Sequence, residues 1–301
     1  MAQTLLEAAK LNSGDVYKAG VIMKFAESSD ILRLLPFQSI AGNSLRYNIE
    51  ETLPGVGFRG VNGSYTESTG IINPQTESLH IIGGDLDVDK FLLKTMGADQ
   101  RTVQEGMKIK AIALAWTREF IKGDSEADIT TFDGLQKRLT GDALIPNHAS
   151  AGPLSLAKLD EAIDAVDGAN AILMNKAMRR RLTVASRTTA VGGNITYTID
   201  EFGRQVARYN DIPIVIVDKD NTNTDILGFT EASSTTSIYV VNFGEGYVQG
   251  LENGGMDVAD LGELDTKPVV RTRIEWYNGF GVFAPKSAAR LKNITDATVI
   301  A

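Results

Sequence analysis

Residues 38–83 constrain this chain more than any other stretch. Gly42, Gly55, Gly57, Gly60, Gly63, Gly70 and Gly83 recur through it. Two strand-like patterns flank the glycines. Leu45, Tyr47 and Ile49 alternate with Arg46, Asn48 and Glu50, and residues 77–82 alternate less cleanly. Between them the large apolar groups thin out to Val56, Phe58, Val61, Tyr65, Ile71 and Ile72. A two-stranded hairpin with so little apolar surface is marginal by itself in water. An excursion of this length inside a compact domain is unusual. The arm therefore extends from a body and lies on something else.

The body must be found in the rest of the chain. Residues 1–37 read as short helices, the last of them carrying Ile31, Leu34 and Leu35 and stopped by Pro36. Helices this short need a partner surface. Residues 84–122 read as helical, opening with DLDVDKFLL and continuing as one long helix from about 99 to 121, ended by Gly123. Val103, Met107, Leu114, Arg118 and Ile121 wind around it. It is the longest periodic element and the expected spine of the fold. Residues 150–262 read as a compact α/β unit. Ser155 is placed to cap a helix over 156–166, residues 171–174 read as a strand entering a helix through Arg181, and 212–217 and 237–243 read as buried strands. Residues 269–277 alternate Val270, Thr272, Ile274 and Trp276 against Arg271, Arg273, Glu275 and Tyr277, with Gly279 and Gly281 expected to break the strand.

Composition removes most catalytic chemistry. There is no cysteine, so no thiol nucleophile, disulfide or Cys-ligated zinc site exists. His80 and His148 are the only histidines, which excludes a three-His metal site within one chain. Neither histidine has a serine in a nucleophile-elbow context. The 30 lysines and arginines against 38 aspartates and glutamates leave a formal charge of −8, against a dedicated nucleic-acid binder. No apolar run approaches the ~20 residues of a spanning helix, and the first residues lack a secretion pattern. No catalytic, cofactor or metal residues are expected.

The remaining motifs have plain readings. GVGFRG at 55–60 matches a dinucleotide fingerprint, but no helix is expected after it to hold a pyrophosphate. DKDNTNTD at 218–225 resembles a calcium loop, yet Asn223 and Phe229 stand where its Gly and Glu belong, so an Asx-rich turn is expected. DLDVD at 85–89 is a charged strand or helix start. Arg179, Arg180 and Arg181, with Lys176 and Arg187, form the only basic cluster and read as a helix C-terminus, with a subunit contact or a nucleic-acid contact as the alternatives. Asp160, Glu161 and Asp164 are assigned to a solvated helix face. The sequons at 194–196 and 293–295 are chance matches without a signal peptide.

The order of parts is a short helical arm, a long Gly-rich hairpin, a spine helix, an α/β insertion and a returning long strand. It resembles that of tailed-bacteriophage major capsid proteins with the Hong Kong 97 capsid fold. The hairpin with its exit (SLRYNIEE, GFRG, YTES, ESLHIIGGDLDVDKFLL), the segment LSLAKLDEAIDAV with AILMNKAMRRRL, and the ending PVVRTRIEWYNGFGVFAPKSAARLKNI carry the resemblance. It covers nearly the whole chain. It implies an α+β fold with an N-terminal arm (1–37), an extended loop (38–83), a peripheral domain (84–145 and 263–301) and an axial domain (146–262). It also implies hexamers and pentamers of one chain closing an icosahedral shell around double-stranded DNA, held weakly and non-specifically. A separate scaffolding protein, a portal and decoration proteins would be partners, with assembly in the host bacterial cytoplasm and no membrane. Phe58, Arg59, Tyr65, Glu67 and Glu77 of the extended loop are the expected contacts to neighbouring subunits. An encapsulin-like compartment shares the implied fold. A carboxylate-dependent hydrolase and a ring-forming tail or adaptor protein are the readings outside a shell.

Overall fold

A computed structural model describes residues 3–4, 29–96, 99–187, 195–199 and 205–300. The helices expected before residue 28, and Asn194 of the first sequon, lie outside these residues.

A five-stranded sheet runs β1 (Gln3–Thr4), β2 (Pro36–Ser39), β12 (Val248–Glu263), β13 (Val269–Val282) and β5 (His80–Asp89). The helix α1 (Asp30–Leu34) delivers the chain into β2 and buries Ile31 and Leu32. Pro36 both ends α1 and opens β2. β13 alternates as expected, with Thr272, Ile274 and Trp276 buried. It does not break at Gly279 and Gly281, because these glycines make room instead of turning the chain. A Cβ on Gly279 would sit 2.9 Å from the Ser78 carbonyl oxygen, and one on Gly281 would sit 2.7 Å from the Phe283 ring.

Residues 84–89 are strand, not helix. Leu86 and Val88 alternate with Asp85, Asp87 and Asp89, which is period 2. The aspartates face β13 arginines in register, with Asp85 opposite Arg273 and Asp87 opposite Arg271. Helix begins only at α2 (Lys90–Met96), followed by α3 (Asp99–Lys122). The 24 residues of α3 span about 36 Å at ~1.5 Å each. Its buried stripe is Ile109, Ile112, Ala113, Trp116 and Phe120, at i, i+3, i+4, i+7 and i+11. Val103 and Met107, expected on the winding apolar set, are exposed.

A mixed seven-stranded sheet follows the order β6 (Leu144–Pro146), β14 (Ala288–Ile294), β11 (Thr236–Val241), β7 (Ala171–Met174), β10 (Ile212–Ile216), β9 (Gln205–Tyr209) and β8 (Ile195–Ile199). The short helix α4 (Leu135–Arg138) precedes β6. Two longer helices, α5 (Leu156–Asp164) and α6 (Lys176–Ala185), complete this half. Ser155 stands at the N-cap of α5 but gives it no side-chain bond. The expected α5 end at 166 and α6 end at 181 shift to Asp164 and Ala185, so the arginines lie inside α6 and not at its C-terminus.

The sheet is buried on both faces. Along β7, Ala171 and Leu173 join one core while Ile172 and Met174 join the other, and β11 divides its residues likewise. The first core contains the α3 stripe and the aromatic set around Trp116. Trp116 stacks on Phe120 at 5.2 Å, meets Trp276 at 6.0 Å and donates its Nε1–H to Asn278 Oδ1 at 2.8 Å. The second core holds Leu159 and Ala162 of α5 with Met178, Leu182 and Ala185 of α6. Both helices therefore cover the same face.

Sheet membership crosses the sequence ranges expected for the two large domains. β12 falls inside 146–262 except for its last residue, yet pairs along β13 in the five-stranded sheet. β14 falls inside 263–301, yet pairs with β11 and β6 in the seven-stranded one. Strand pairing, which is non-local, decides both. β12 carries a register shift between Glu252 and Met256, where Gly254 and Gly255 take positive φ of 78° and 72°.

Candidate assembly surface

β3 (Ser44–Thr52) and β4 (Ile71–Ser78) form a two-stranded antiparallel sheet of their own. Leu45, Tyr47 and Ile49 share its half-buried side, as the alternation predicts. The expected strand at 77–82 is divided by Leu79, whose N–H donates to the Asn43 carbonyl at 2.8 Å while β5 starts at His80.

The base of the hairpin is held to the body by polar and aromatic contacts. Tyr47 donates its hydroxyl to Glu77 Oε1 at 3.1 Å, and its ring meets Phe283 edge-on at 4.5 Å. Burial, then the charge of Glu77, push the Tyr47 hydroxyl far above its ordinary pKa, while the Arg138 guanidinium pulls it down. Arg138 binds both Glu77 oxygens, the Nη2–Oε2 contact being 2.7 Å, and lies 4.8 Å from the Phe280 ring centroid. The Glu77 and Arg138 side chains are only 13% and 18% exposed. Glu77 is thus engaged inside its own chain, where it anchors the arm. Tyr47 and Arg138 share that task without having been singled out in the sequence. The alternation signalled Tyr47, whereas nothing local signalled Arg138.

The tip, residues 53–70, has no strand pairing. Its internal bonds are few, among them Gly55 N–H to Ser68 Oγ at 2.8 Å and Gly63 N–H to the Gly60 carbonyl at 3.1 Å. Arg59 lies 5.2 Å from the Tyr65 ring centroid. Val56, Phe58 and Val61 are 98%, 108% and 96% exposed. Fully burying a Val or Phe side chain is worth roughly 1.5–3 kcal/mol. The expected contacts Phe58, Arg59, Tyr65 and Glu67 all lie on this exposed tip. GVGFRG lies there too, with no helix behind it.

The other motifs serve the fold locally. The Asp220 carboxylate accepts the Thr222 and Thr224 N–H groups at 2.8 and 2.9 Å, making the Asx turn. Burial alone would raise its pKa, but the Thr222 hydroxyl, which donates at 2.7 Å, and these N–H bonds hold it below the usual carboxylate range. His80 Nδ1 lies 3.1 Å from the Thr130 carbonyl oxygen, and His148 Nε2 lies 3.1 Å from that of Pro153. Asp160 accepts from the Tyr209 hydroxyl at 2.9 Å. A cleft of about 510 Å³ beside the end of α3 is lined by Lys122, Lys137, Glu231 and Arg290. Arg290 pairs with Glu231 at 3.0 Å, and burial lowers the pKa of Lys122.

The arrangement of an arm, a spine helix and two sheets on a shared core has counterparts among solved structures. The holo-SrpI encapsulin complex of Synechococcus elongatus PCC 7942 superposes with a TM-score of 0.68 at 17% identity, over 90% of this chain and 89% of that one. The capsid of a native GTA particle gives 0.66 at 17%, over 89% and 91%. A structure from Microbacterium phage Oxtober96 gives 0.64 at 14%, over 89% and 90%. This is the Hong Kong 97-type capsid fold. No family model matches the sequence, and no curated protein matches it either. In this chain the hairpin tip presents Val56, Phe58 and Val61 to solvent.

Proposed function

We propose that this chain is the repeating subunit of a closed protein shell, the major capsid protein of a tailed bacteriophage. The observation that carries the reading is the hairpin arm, rigidly anchored at Tyr47, Glu77 and Arg138, with Val56, Phe58 and Val61 uncovered at its tip. A monomer gains nothing from holding such groups in water, whereas a neighbouring copy would cover them. Phe58, Arg59, Tyr65 and Glu67 are the contacts we assign to that neighbour. The five-stranded sheet with α3 would form the peripheral part, and the seven-stranded sheet with α5 and α6 the axial part around the vertices. Hexamers and pentamers would close the shell, with a scaffolding protein, a portal and decoration proteins as partners. The acidic chain would enclose double-stranded DNA without gripping it. No catalytic step is required of the chain.

The likeness to an encapsulin supports a second reading, a cellular compartment shell with protein cargo. Electron microscopy and light scattering on the purified chain separate these from a soluble enzyme. Closed shells or capsomers are expected; a particle of 32.5 kDa under all assembly conditions would overturn both readings. The ultraviolet spectrum of particles from the native source then distinguishes nucleic acid from protein contents. Deleting 55–68 should leave a folded chain that no longer assembles, and normal shells from that variant would sink the clamping role of the arm.

A further inference from the structure

The helices α5 and α6 lie on the same face of the seven-stranded sheet and carry opposite uncompensated charge. On α5, Glu161 pairs with Lys158, and Asp160 is engaged by Tyr209. Asp164 at its end and Asp167 just beyond are exposed, and their carboxylates meet no cation among the described residues. On α6, Lys176 pairs with Asp218, and Arg181 with Asp296. Arg180 of α6 and Arg187 just beyond its end are exposed, with the exposed Val184 between them, and neither meets a carboxylate among the described residues.

We propose that this helical layer is a contact between copies of the chain, Arg180 and Arg187 of one copy lying against the Asp164–Asp167 end of another. The inference rests on the shell reading above and names one of the surfaces that would build it. Charge complementarity selects the occupant. A nucleic acid would be drawn to the arginines but repelled by Asp164 and Asp167 on the same layer. A second copy satisfies both signs at once, and the apolar Val184 stands where a contact loses water. Two different patches meeting head to tail generate closed rings when the rotation closes, and opposed potentials select register and partner.

Charge exchange tests this. Arg180→Glu with Arg187→Glu, and separately Asp164→Lys with Asp167→Lys, should each abolish shells and leave a small soluble species in light scattering. The fourfold variant, with the signs exchanged on both helices, should regain them. Folding is checked by near-ultraviolet circular dichroism; if a reversal disturbs it, the neutral Arg180→Gln with Arg187→Gln pair takes its place and should weaken assembly at least tenfold in the concentration required. Shells from either reversal at wild-type concentrations would overturn the contact. So would a fourfold variant that folds but stays unassembled. Reversals that assemble normally but lose retention of a double-stranded oligonucleotide would assign the face to nucleic acid instead. A wild-type chain that never assembles would refute the shell reading itself, a separate result.

Discussion

At the scale of single residues, burial sorts the polar groups into those the fold satisfies and those it strains. Trp116 fills the centre of the first core and spends its one donor on Asn278, so a large apolar body is buried without an unmet N–H. Glu252 is the contrasting case. It sits at the β12 register shift, accepting Trp276 Nε1–H at 3.2 Å. Burial pushes its carboxyl pKa up, and the tryptophan bond only partly opposes this. A carboxyl raised in the folded state is stabilising while protonated. That stability is full below the unfolded value of about 4.3 and is lost as pH rises through the folded value. Glu252→Gln should therefore melt above the wild type at pH 8, with the difference closing towards pH 4 in thermal scans.

At the scale of elements, the ladder between β5 and β13 shows what surface charge does here. Arg273 donates from Nε to Asp85 Oδ1 at 2.7 Å, and Arg271 does so to Asp87 Oδ1 at 2.6 Å. These bonds lower both aspartate pKa values. Exposed pairs contribute little stability, but a one-residue slip would turn every buried side chain of β13 outward. The pairs thus mark register. Close packing enforces it at Gly83, where a Cβ would lie 2.3 Å from the Ile274 carbonyl oxygen of the adjacent strand. Backbone cannot yield as a side-chain end does. Gly83→Ala should cost about 1–3 kcal/mol in urea unfolding, with faster hydrogen exchange concentrated in β5.

At the scale of the whole molecule, the chain separates a packed body from an arm whose tip its own chain leaves uncovered. The first core ties both halves together and the second lies on the other face of the seven-stranded sheet, while the tip at 53–70 contributes to neither. Arg59 stands on that tip with a single 3.3 Å bond to the Gly63 carbonyl. Trypsin should cut the unassembled chain first after Arg59, and assembly should slow that cut by at least tenfold, read by mass spectrometry of timed digests. Equal cleavage in both states would show that no neighbour covers the tip.

Periodicity and composition by themselves determined the spine helix, the alternating hairpin strand, the strand through Trp276 and the exclusion of thiol and three-His chemistry. Each depends on spacing along the chain or on which side chains exist at all. The tip could be read as uncovered for the same reason, since too few apolar groups lie near it in sequence. Tertiary structure alone decided that Glu77 turns inward to Arg138, 61 positions away, and that glycine-rich β12 is a strand. It also decided that β12 and β14 exchange the sheets their neighbours in sequence suggest. A hydrogen-bonded register and a buried ion pair depend on which distant segment arrives opposite, and that is settled only when the two cores close around the sheet between them.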